Sequence, residues 1–233
     1  MDLPTCLMRL GLTKNEATLY CTLSAHGEMT GYECAKLTGI SRSNVYIALA
    51  GLCEKGGAFL VDGAAQKYSP APMREFCANK RRELDAAVDY LVENMPSPAA
   101  PSDAYITVTG SAAIFDKMKN MMAACTERLY LSAEAAILEK LSAELADVIR
   151  RDRKVVLMTG REFVMEGAIL YEMARSGGQV RLIVDSRFVL TGDLFENQPC
   201  SCLFSSSDTL VTLFKDAMKN EMRLIELGEL QPS

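Results

Sequence analysis

The chain contains 233 residues, of which 49% are hydrophobic and 24% charged, and it carries a formal net charge of −5. This size and composition indicate globular domains with workable cores, and two small domains fit better than one large one. No apolar run is long enough to span a bilayer, and the acidic balance excludes a uniformly basic nucleic-acid coat. The first twelve residues lack the basic start and apolar core of a secretory signal, so we expect a cytoplasmic protein.

Cysteine and histidine usage points away from metal or catalytic chemistry. The eight cysteines mostly fall on apolar faces of predicted helices, and no CxxC pair or Cys/His cluster has zinc spacing. Cys200 and Cys202 share one face of a predicted strand, so a redox or metal role is the less favoured alternative to reduced core thiols. His26, the single histidine, ends a predicted helix, and no catalytic motif surrounds it. We therefore expect no catalytic residues, no metal and no cofactor.

Two helices are predicted at the start of the chain. The first runs from Asp2 to Leu10 and ends at Gly11. The second runs from Lys14 to Ala25, and Thr13 with Glu16 three residues later has the pattern of a capping box. A broad apolar stripe on the second helix predicts that it packs into a core.

The segment from Gly31 to Lys55 is the most informative part of the sequence. Its apolar spacing predicts two short helices that meet at a tight turn and press on one core. The apolar positions are Ala35, Leu37 and Ile40 in the first helix and Val45, Leu49 and Leu52 in the second. Gly39 breaks the first helix, and Ser41 is placed to N-cap the second.

The outer face of the second of these helices is polar in its first two turns. It presents Arg42, Ser43, Asn44, Tyr46 and Ile47. In a helix-turn-helix, these N-terminal positions reach base edges and phosphates. An ordinary helical hairpin with a polar outer face has the same pattern, and this alternative stays open.

Basic residues are concentrated around this segment. From Lys36 to Arg82 there are eight Lys or Arg and three Asp or Glu, a net charge of +5, which leaves −10 for the rest of the chain. A DNA-binding segment attached to an acidic body shows this asymmetry, although a solvated helix face produces it too.

A hairpin follows the two helices. Strands are predicted over Ala58 to Val61 and over Gln66 to Ser69, with a turn at Asp62-Gly63. The order of helix, helix and hairpin is that of a winged helix. Lys67 is the main basic residue near the wing tip, so we expect weak contacts from the wing to a DNA backbone.

A long helix is predicted from Pro70 and Pro72 to Met95. Its apolar seam consists of Phe76, Leu84, Ala87, Val88, Leu91 and Val92. This seam either covers its own domain or forms the contact of a homodimer, the state that two-fold DNA sites favour. We expect the homodimer.

The segment LGLTKNEATLYCTLSAHGEMTGYECAKLTGISRSNVYIALAGLCEKGG, residues 10–57, resembles the winged-helix domain of TrmB-type transcriptional regulators. The matching features are the GLT start, Glu16, Ala17 and Tyr20, and the run SRSNVYIAL followed by GLCEKG. The resemblance implies that a reader helix, about residues 41–55, docks in the major groove of double-stranded DNA. With the wing lysine, the expected DNA-binding residues are Ser41, Arg42, Ser43, Asn44, Tyr46 and Lys67. Gly57 and Ala58 replace a bulkier aliphatic pair, a departure that bears on the wing rather than on the helix.

Residues 95–102, MPSPAAPS, predict a proline-rich hinge, and alternating strands and helices are predicted after it. Strands are predicted at 104–109, 128–132, 154–159, 179–185, FVLTG, CLF and 222–227, and helices at 111–125, 135–151, 162–176 and 209–220. This alternation indicates an α/β domain with a mostly parallel sheet. The expected division is a winged helix at 1–70, a linker helix and hinge at 71–102, and an effector or dimerisation domain at 103–233.

Two C-terminal runs, VRLIVDSRFVLTGDLF and SCLFSSSDTLVTLFKDAMKNEMRLIEL, resemble the C-terminal domain of TrmB-type regulators, which is related to the phospholipase D fold. Enzymes of that fold use His and Lys in an HxKxxxxD motif, and this domain contains no histidine. The resemblance therefore implies a fold kept as a sensor and not as a phosphodiesterase.

The ends of predicted strands supply a candidate effector site. It combines Thr109, Gly110 and Ser111 with Thr159, Gly160 and Arg161 and with Ser205, Ser206 and Ser207. Helix starts offer free amide donors and Arg161 adds charge, which predicts a small anionic or phosphorylated effector. The expected direct contacts are Ser111, Arg161, Ser206 and Ser207. The alternative is that all of these are ordinary turn and capping residues.

Together the patterns predict a homodimeric DNA-binding transcriptional regulator with a ligand-sensing or dimerisation domain. The acidic total charge and the plain wing leave open an interaction or adaptor protein that kept the winged fold without binding DNA. A phospholipase-type enzyme is disfavoured because the nucleophilic histidine is absent.

Overall fold

The computed structural model describes residues 2–61, 63, 65–96, 105–173, 178–195 and 199–228. The chain divides into two compact units, Met1–Ser97 and Pro98–Ser233. Most of the proline-rich hinge predicted at 95–102, together with Asp62 of the predicted wing turn, lies outside the described residues. The three-part domain division stays a prediction.

The N-terminal unit contains helices that precede and follow a small antiparallel sheet. Its helices are α1 (Leu3–Arg9), α2 (Lys14–His26), α3 (Gly31–Thr38), α4 (Arg42–Glu54) and α5 (Met73–Asn94). Its strands are β1 (Met29–Thr30), β2 (Ala58–Val61) and β3 (Lys67–Pro70), in the order β1-β3-β2. This is the predicted winged helix-turn-helix, with one short strand, β1, that the sequence did not predict.

Capping boxes begin two of these helices. Thr13 Oγ1 accepts a hydrogen bond from the Glu16 backbone N–H at 3.3 Å, and the Glu16 carboxylate accepts one from the Thr13 N–H at 2.7 Å. Thr30 and Glu33 form the same reciprocal pair at the start of α3. Each box satisfies backbone donors that have no partner inside the helix, which fixes where the helix starts.

The core of the N-terminal unit lies between α2, α3 and α4. Val45, Leu49 and Leu52 are completely buried, as the spacing predicts. Leu37 was also predicted to be buried, but 55% of it is exposed. The helix starts at Gly31, and its buried residues are Gly31 and Cys34.

The long helix α5 is attached to this core only at its first turn. Phe76 is its one buried residue among those described, and its ring lies 5.7 Å from the ring of Tyr20. The Tyr20 hydroxyl donates a hydrogen bond to the Ala71 carbonyl at 2.8 Å. The rest of the predicted seam does not cover its own domain, since Leu84 is 64% exposed and Leu91 is 51% exposed.

The C-terminal unit is a seven-stranded sheet, as far as the chain is described, with helices on both faces. Its strands are β4 (Ile106–Thr109), β5 (Arg128–Ser132), β6 (Lys154–Thr159), β7 (Ile169–Glu172), β8 (Gln179–Val184), β9 (Phe188–Asp193) and β10 (Ser201–Ser205). Its helices are α6 (Ser111–Ala123), α7 (Ala135–Lys140), α8 (Ser142–Arg150) and α9 (Asp208–Glu226). The strand order is β4-β10-β9-β8-β5-β6-β7.

The predicted mixture of helices and strands is confirmed, but the expectation of a mostly parallel sheet is wrong. Only the β5-β6 and β6-β7 pairs are parallel, and the other described pairs are antiparallel. The cause is local: β8 returns directly as β9 through a turn in which Asp185 and Ser186 both have positive φ. A hairpin needs no crossover helix, so it reverses the strand direction.

Three predicted elements of this unit differ in the structure. The helix predicted at 135–151 is two helices that meet at Leu141, where φ is −111° and ψ is 6°. The region predicted as a helix at 162–176 instead contains β7, which pairs with β6, and residues 174–177 lie outside the described chain. The strand predicted at 222–227 is the last part of α9.

Alternate residues of the strands build two cores. Leu129, Leu131, Val180 and Leu182 face α6, α7 and α8. Met158, Ile183 and Val189 belong to a second cluster with Val211 and Met218 of α9. The helices therefore cover opposite faces of the sheet, which is the arrangement that buries both sides of a hydrophobic strand.

Asp185 fixes the turn between β8 and β9 to the start of β5. Its carboxylate accepts hydrogen bonds from the backbone N–H groups of Thr126, Glu127 and Arg128 at 2.8 to 3.0 Å, and from the Thr126 hydroxyl at 2.8 Å. Burial opposes the charged form, but the backbone donors outweigh it and lower the pKa of Asp185 to about 2.

No helix in the described part of the chain is long and apolar enough to cross a membrane.

Candidate nucleic-acid interface

Helix α4 has one buried and one exposed face. Its buried residues are Val45, Ala48, Leu49 and Leu52. The residues predicted to face outward, Arg42, Ser43, Asn44, Tyr46 and Ile47, are all exposed. The exposed face of α4 was therefore predicted correctly from the sequence. The contacts of these side chains determine which ligand this face can bind.

Arg42 is held by an aromatic ring from the preceding helix. Its guanidinium lies over the ring of Tyr32, 4.6 Å from the centroid. A cation–π contact at an exposed site contributes about 0.5–1 kcal/mol, enough to bias the side chain toward one orientation. Among the described residues, none accepts a hydrogen bond from this guanidinium, so its donors remain available to a ligand.

Tyr46 packs against the start of α3. A Cβ at Gly31 would lie 2.6 Å from Cε1 of the Tyr46 ring, so the ring occupies the space that a side chain at position 31 would need. Tyr46 is nevertheless 46% exposed. Tyr32 and Tyr46 thus form one surface with Arg42. The sequence did not lead us to predict that Tyr32 belongs to this surface. The signal was present, because Tyr32 lies two residues before the buried Cys34 and must face away from the core.

The N-terminus of α4 is open. Ser41 occupies the N-cap position, but its side chain makes no capping hydrogen bond, contrary to the prediction. Its hydroxyl lies 3.4 Å from that of Ser43 instead. The first backbone N–H groups of α4 therefore stay free of a side-chain cap, and such groups bind phosphate readily.

The wing adds little positive charge. Lys67 is exposed at the start of β3 and pairs in register with Thr30. Hydrogen bonds from Thr30 keep the pKa of Glu33 below its ordinary value, with a smaller contribution from the charge of Lys67. Phe59 and Leu60 of β2 are each 48% exposed. The wing surface is therefore more apolar than basic.

The far end of α4 is anchored to α2. Lys55 donates hydrogen bonds to the Glu16 carboxylate at 2.7 Å and to the Gly11 carbonyl at 3.0 Å. Burial favours the neutral form of Glu16, but the bonds from Lys55 and Thr13 lower its pKa overall. A Cβ at Gly51 would lie 2.5 Å from Glu16 Oε1, so this glycine permits the close approach of the two helices.

The residues of the candidate effector site do not lie together. Ser111 follows β4, which is at the edge of the sheet, and Arg161 follows β6. The two strands are five positions apart in the sheet, so these two residues are separated by roughly 20 Å or more. Ser206 and Ser207 follow β10 at the opposite end of the strands, because Ser201 and not Ser205 pairs with Thr109. A single pocket lined by all of them is therefore ruled out. The prediction failed because it assumed parallel strands, whose carboxyl ends meet at one edge.

Arg161 lines a small cavity of its own. This cavity measures about 240 Å³ and is also lined by Phe163, Leu170 and Tyr171. Arg161 also forms an ion pair with Glu172, and its side chain is 75% exposed. At the other two places, Ser111 is the first residue of α6 after the N-cap Gly110, and Ser207, the N-cap of α9, makes no capping hydrogen bond with its side chain.

The cysteines give no support to metal or redox chemistry. All eight are thiols outside any disulfide, and Cys200 and Cys202 are buried. Burial raises the pKa of the Cys202 thiol to about 11, with a further contribution from Asp193, so it stays protonated at neutral pH. Within the described ranges, no group of three His, Cys, Asp or Glu residues is arranged to hold a metal ion.

Comparison with known proteins finds a similarity for the N-terminal unit. Residues 7–74 match the family model "Sugar-specific transcriptional regulator TrmB". The resemblance inferred from GLT, Tyr20 and SRSNVYIAL is thereby confirmed for this part of the chain. A protein of Bacillus subtilis strain 168, "Uncharacterized protein YrhO", is 27% identical over 169 residues, which cover 71% of this chain and 61% of that protein. The match thus spans less than two thirds of the relative.

Three solved structures are also similar. TrmBL2, described as an archaeal chromatin protein with a novel mode of DNA binding, is 17% identical, covers 95% of this chain with 97% of its own, and has a TM-score of 0.48. NucT from Helicobacter pylori is 11% identical over 50% of this chain and 95% of its own, with a TM-score of 0.42. Nuc from Salmonella typhimurium, a phospholipase D family member, is 12% identical over 50% of this chain and 92% of its own, with a TM-score of 0.40.

Proposed function

We propose that this protein is a DNA-binding transcriptional regulator that docks α4, about residues 41–55, in the major groove of double-stranded DNA as a homodimer. The proposal is supported by the match of residues 7–74 to a transcriptional-regulator family. The C-terminal unit acts as a ligand-sensing or dimerisation domain. Its activity is regulatory and not catalytic.

The observation that carries the proposal is the surface formed by Tyr32, Arg42 and Tyr46. Arg42 is oriented by an aromatic ring while its donors point at no acceptor in the described protein. A guanidinium held in this way suits the bidentate recognition of guanine or of a phosphate. Ser43 and Asn44 lie beside it on the first turn of α4 and supply a hydroxyl and an amide. Ser41 and Lys67 add contacts to the DNA backbone from the helix start and from the wing.

The homodimer is supported by the exposed stripe on α5. Leu84, Val88, Leu91 and Met95 are spaced four, three and four residues apart, and each is at least 48% exposed. This is the spacing of a coiled-coil seam, and a second copy of the helix is the partner that such a seam fits best. Two reader helices related by a two-fold axis would then face two half-sites of one operator.

The sensing role belongs to the C-terminal unit. Among the predicted effector contacts, Arg161 lines a cavity, so a small anionic or phosphorylated effector would bind there by taking the place of Glu172. Ser111, Ser206 and Ser207 would then act at separate places or serve only as helix-start residues. An effector of this kind changes DNA affinity only by binding one arrangement of the protein more tightly than the other.

The test uses the DNA upstream of the protein's own gene in a fluorescence anisotropy titration at fixed salt. Arg42→Ala and Asn44→Ala should each weaken binding by about 1–3 kcal/mol, the usual cost of losing a base-specific contact. Both residues are exposed, so thermal unfolding should remain nearly unchanged. Arg153→Ala removes one exposed arginine from the C-terminal unit and serves as the matched control, which should bind like the unaltered protein.

Equal affinity of all three variants would remove α4 from the interface. The exposed Phe59 and Leu60 then favour the second candidate function, a protein-interaction module that kept the winged fold. In that case no DNA binding above the non-specific level should be found, and Phe59→Ser should change the protein's association behaviour while Arg42→Ala should not.

A further inference from the structure

The outermost line of α4 contains an exposed aliphatic side chain. Ser43, Ile47, Ala50 and Glu54 are spaced four, three and four residues apart, so they follow one another along the same side of the helix. All four are exposed, and they lie opposite the buried face of α4. Ile47 is 71% exposed and stands between the small side chains of Ser43 and Ala50. It therefore projects further from the helix than these two neighbours.

The proposed docking of α4 determines what this line of residues meets. The major groove is about 12 Å wide and admits a helix whose exposed face turns toward the floor of the groove. Side chains at the centre of that face then meet base edges, whereas side chains at its borders meet the phosphates of the groove walls. Because Ile47 lies near the centre, docking buries its aliphatic chain against base pairs.

The base pairs differ in what they offer an aliphatic side chain in this groove. Guanine, adenine and cytosine present hydrogen-bond donors and acceptors there, whereas thymine presents a C5-methyl group beside its O4 acceptor. An isoleucine over a donor or acceptor would displace its water without replacing the hydrogen bond, which is unfavourable. Over the thymine methyl group, the same side chain removes apolar surface from water on both molecules. Thymine is therefore the base that suits Ile47 best.

The far end of the same line carries a negative charge. Glu54 is exposed and lies seven residues beyond Ile47, or roughly 10 Å along the helix. Its carboxylate repels the phosphates of DNA, so the closest approach of α4 is confined to the first turns of the helix. Ile47 lies within these turns, together with Arg42 and Asn44.

Building on the function proposed above, we propose that Ile47 determines specificity by contacting the C5-methyl group of a thymine in the operator. Arg42, Ser43 and Asn44 recognise hydrogen-bonding groups or phosphates. Ile47 recognises a methyl group instead, so it distinguishes thymine from a pyrimidine that lacks this group. The operator therefore carries a thymine within the span of bases that the first turns of α4 contact.

The test compares two forms of one operator DNA in the fluorescence anisotropy titration, one with thymine and one with uracil in place of every thymine. Uracil lacks only the C5-methyl group and keeps the same hydrogen-bonding groups. The unaltered protein should bind the thymine form more tightly, by about fourfold for each methyl group that Ile47 covers. Replacing single thymines by uracil then locates the position that is contacted.

Variants of Ile47 assign this preference to one side chain. Ile47→Ala should reduce the preference for thymine about fourfold, and Ile47→Val, which keeps the branched shape, should retain most of it. Because Ile47 is exposed, thermal unfolding of both variants should be nearly unchanged. Leu213→Ala, which shortens a 63% exposed side chain of α9, is the control and should keep the full preference.

The outcomes separate this assignment from the proposed function. If Ile47→Ala and the unaltered protein show the same preference for thymine, or if the unaltered protein shows none, Ile47 does not read a thymine. The docking of α4 would still be decided by Arg42→Ala and Asn44→Ala. If the unaltered protein binds neither form above the non-specific level, the proposed function is wrong, and the role of Ile47 is wrong with it.

Discussion

Asp185 shows how one carboxylate organises an irregular part of the C-terminal unit. Both of its oxygens accept hydrogen bonds, Oδ1 from Glu127 and Arg128 and Oδ2 from Thr126. An asparagine at this position would direct its NH₂ group at backbone donors. Asp185→Asn should therefore lower the free energy of unfolding at pH 7 by roughly 2 kcal/mol, the scale for hydrogen bonds to a charged group. Urea denaturation measures this difference.

The same variant predicts how the stability contributed by Asp185 changes with pH. The pKa of Asp185 is about 2 in the folded protein, below its ordinary value of 3.8. Its contribution to stability is thus complete above pH 4 and is lost as the pH falls from about 4 through about 2. The difference between Asp185→Asn and the unaltered protein should shrink over that window. Asp116→Asn, at an exposed position of α6, is the control, and a difference that stays constant with pH would contradict this account.

The candidate DNA surface could be predicted from the sequence only in part. The period of Val45, Leu49 and Leu52 fixes which side of α4 is buried, and the opposite side follows from it. The contact of Arg42 with Tyr32 and the position of the Tyr46 ring over Gly31 depend on the angle between α3 and α4. That angle is set by tertiary packing and is not encoded in the periodicity of either helix.

At the scale of elements, the incorrect predictions have a common cause. The short, mostly apolar run MRLIEL, residues 222–227, was predicted to be a strand. Over a longer window, the residues that pack against the sheet recur at helical spacing: Val211, Phe214, Met218, Met222 and Ile225. Conversely, Ile169–Glu172 is a strand because β6 offers it a parallel partner. Short apolar runs fit both periods, and tertiary contacts decide between them.

The exposed stripe of α5 yields a prediction at this scale. Val88→Glu together with Leu91→Glu should convert the dimer to a monomer, because charges would be buried in the proposed seam. Light scattering measures the molar mass of the variant. Its affinity for operator DNA should decrease together with the molar mass.

Ala78→Glu together with Ala86→Glu is the matched control for the stripe. Both alanines are exposed and lie on the side of α5 away from Val88 and Leu91. This variant adds the same charge and should remain dimeric. A dimer that persists in the Val88→Glu, Leu91→Glu protein would place the contact in the C-terminal unit.

On the scale of the whole molecule, the two units differ in charge as well as in fold. The excess of basic residues lies between Lys36 and Arg82, inside Met1–Ser97. With 10 basic and 11 acidic residues this unit has a net charge of −1, whereas Pro98–Ser233, with 15 basic and 19 acidic residues, has a net charge of −4. The core clusters of the two units share no residue, since one comprises residues from Leu7 to Phe76 and the others begin at Ile114. The fragment 1–96 should therefore unfold cooperatively by itself, which circular dichroism measures.

This separation predicts how DNA binding depends on salt. Each phosphate neutralised by the protein contributes about −0.9 to the slope of log K against log salt concentration. If all the cations that meet DNA lie in the N-terminal unit, the fragment 1–96 should show the same slope as the full chain, within about one phosphate contact. Its affinity should equal or exceed that of the full chain, because the acidic C-terminal unit repels DNA. The full chain could instead show a slope that is steeper by more than one phosphate contact. The C-terminal unit would then also bind the DNA backbone, and the proposal that only the N-terminal unit contacts DNA would be wrong.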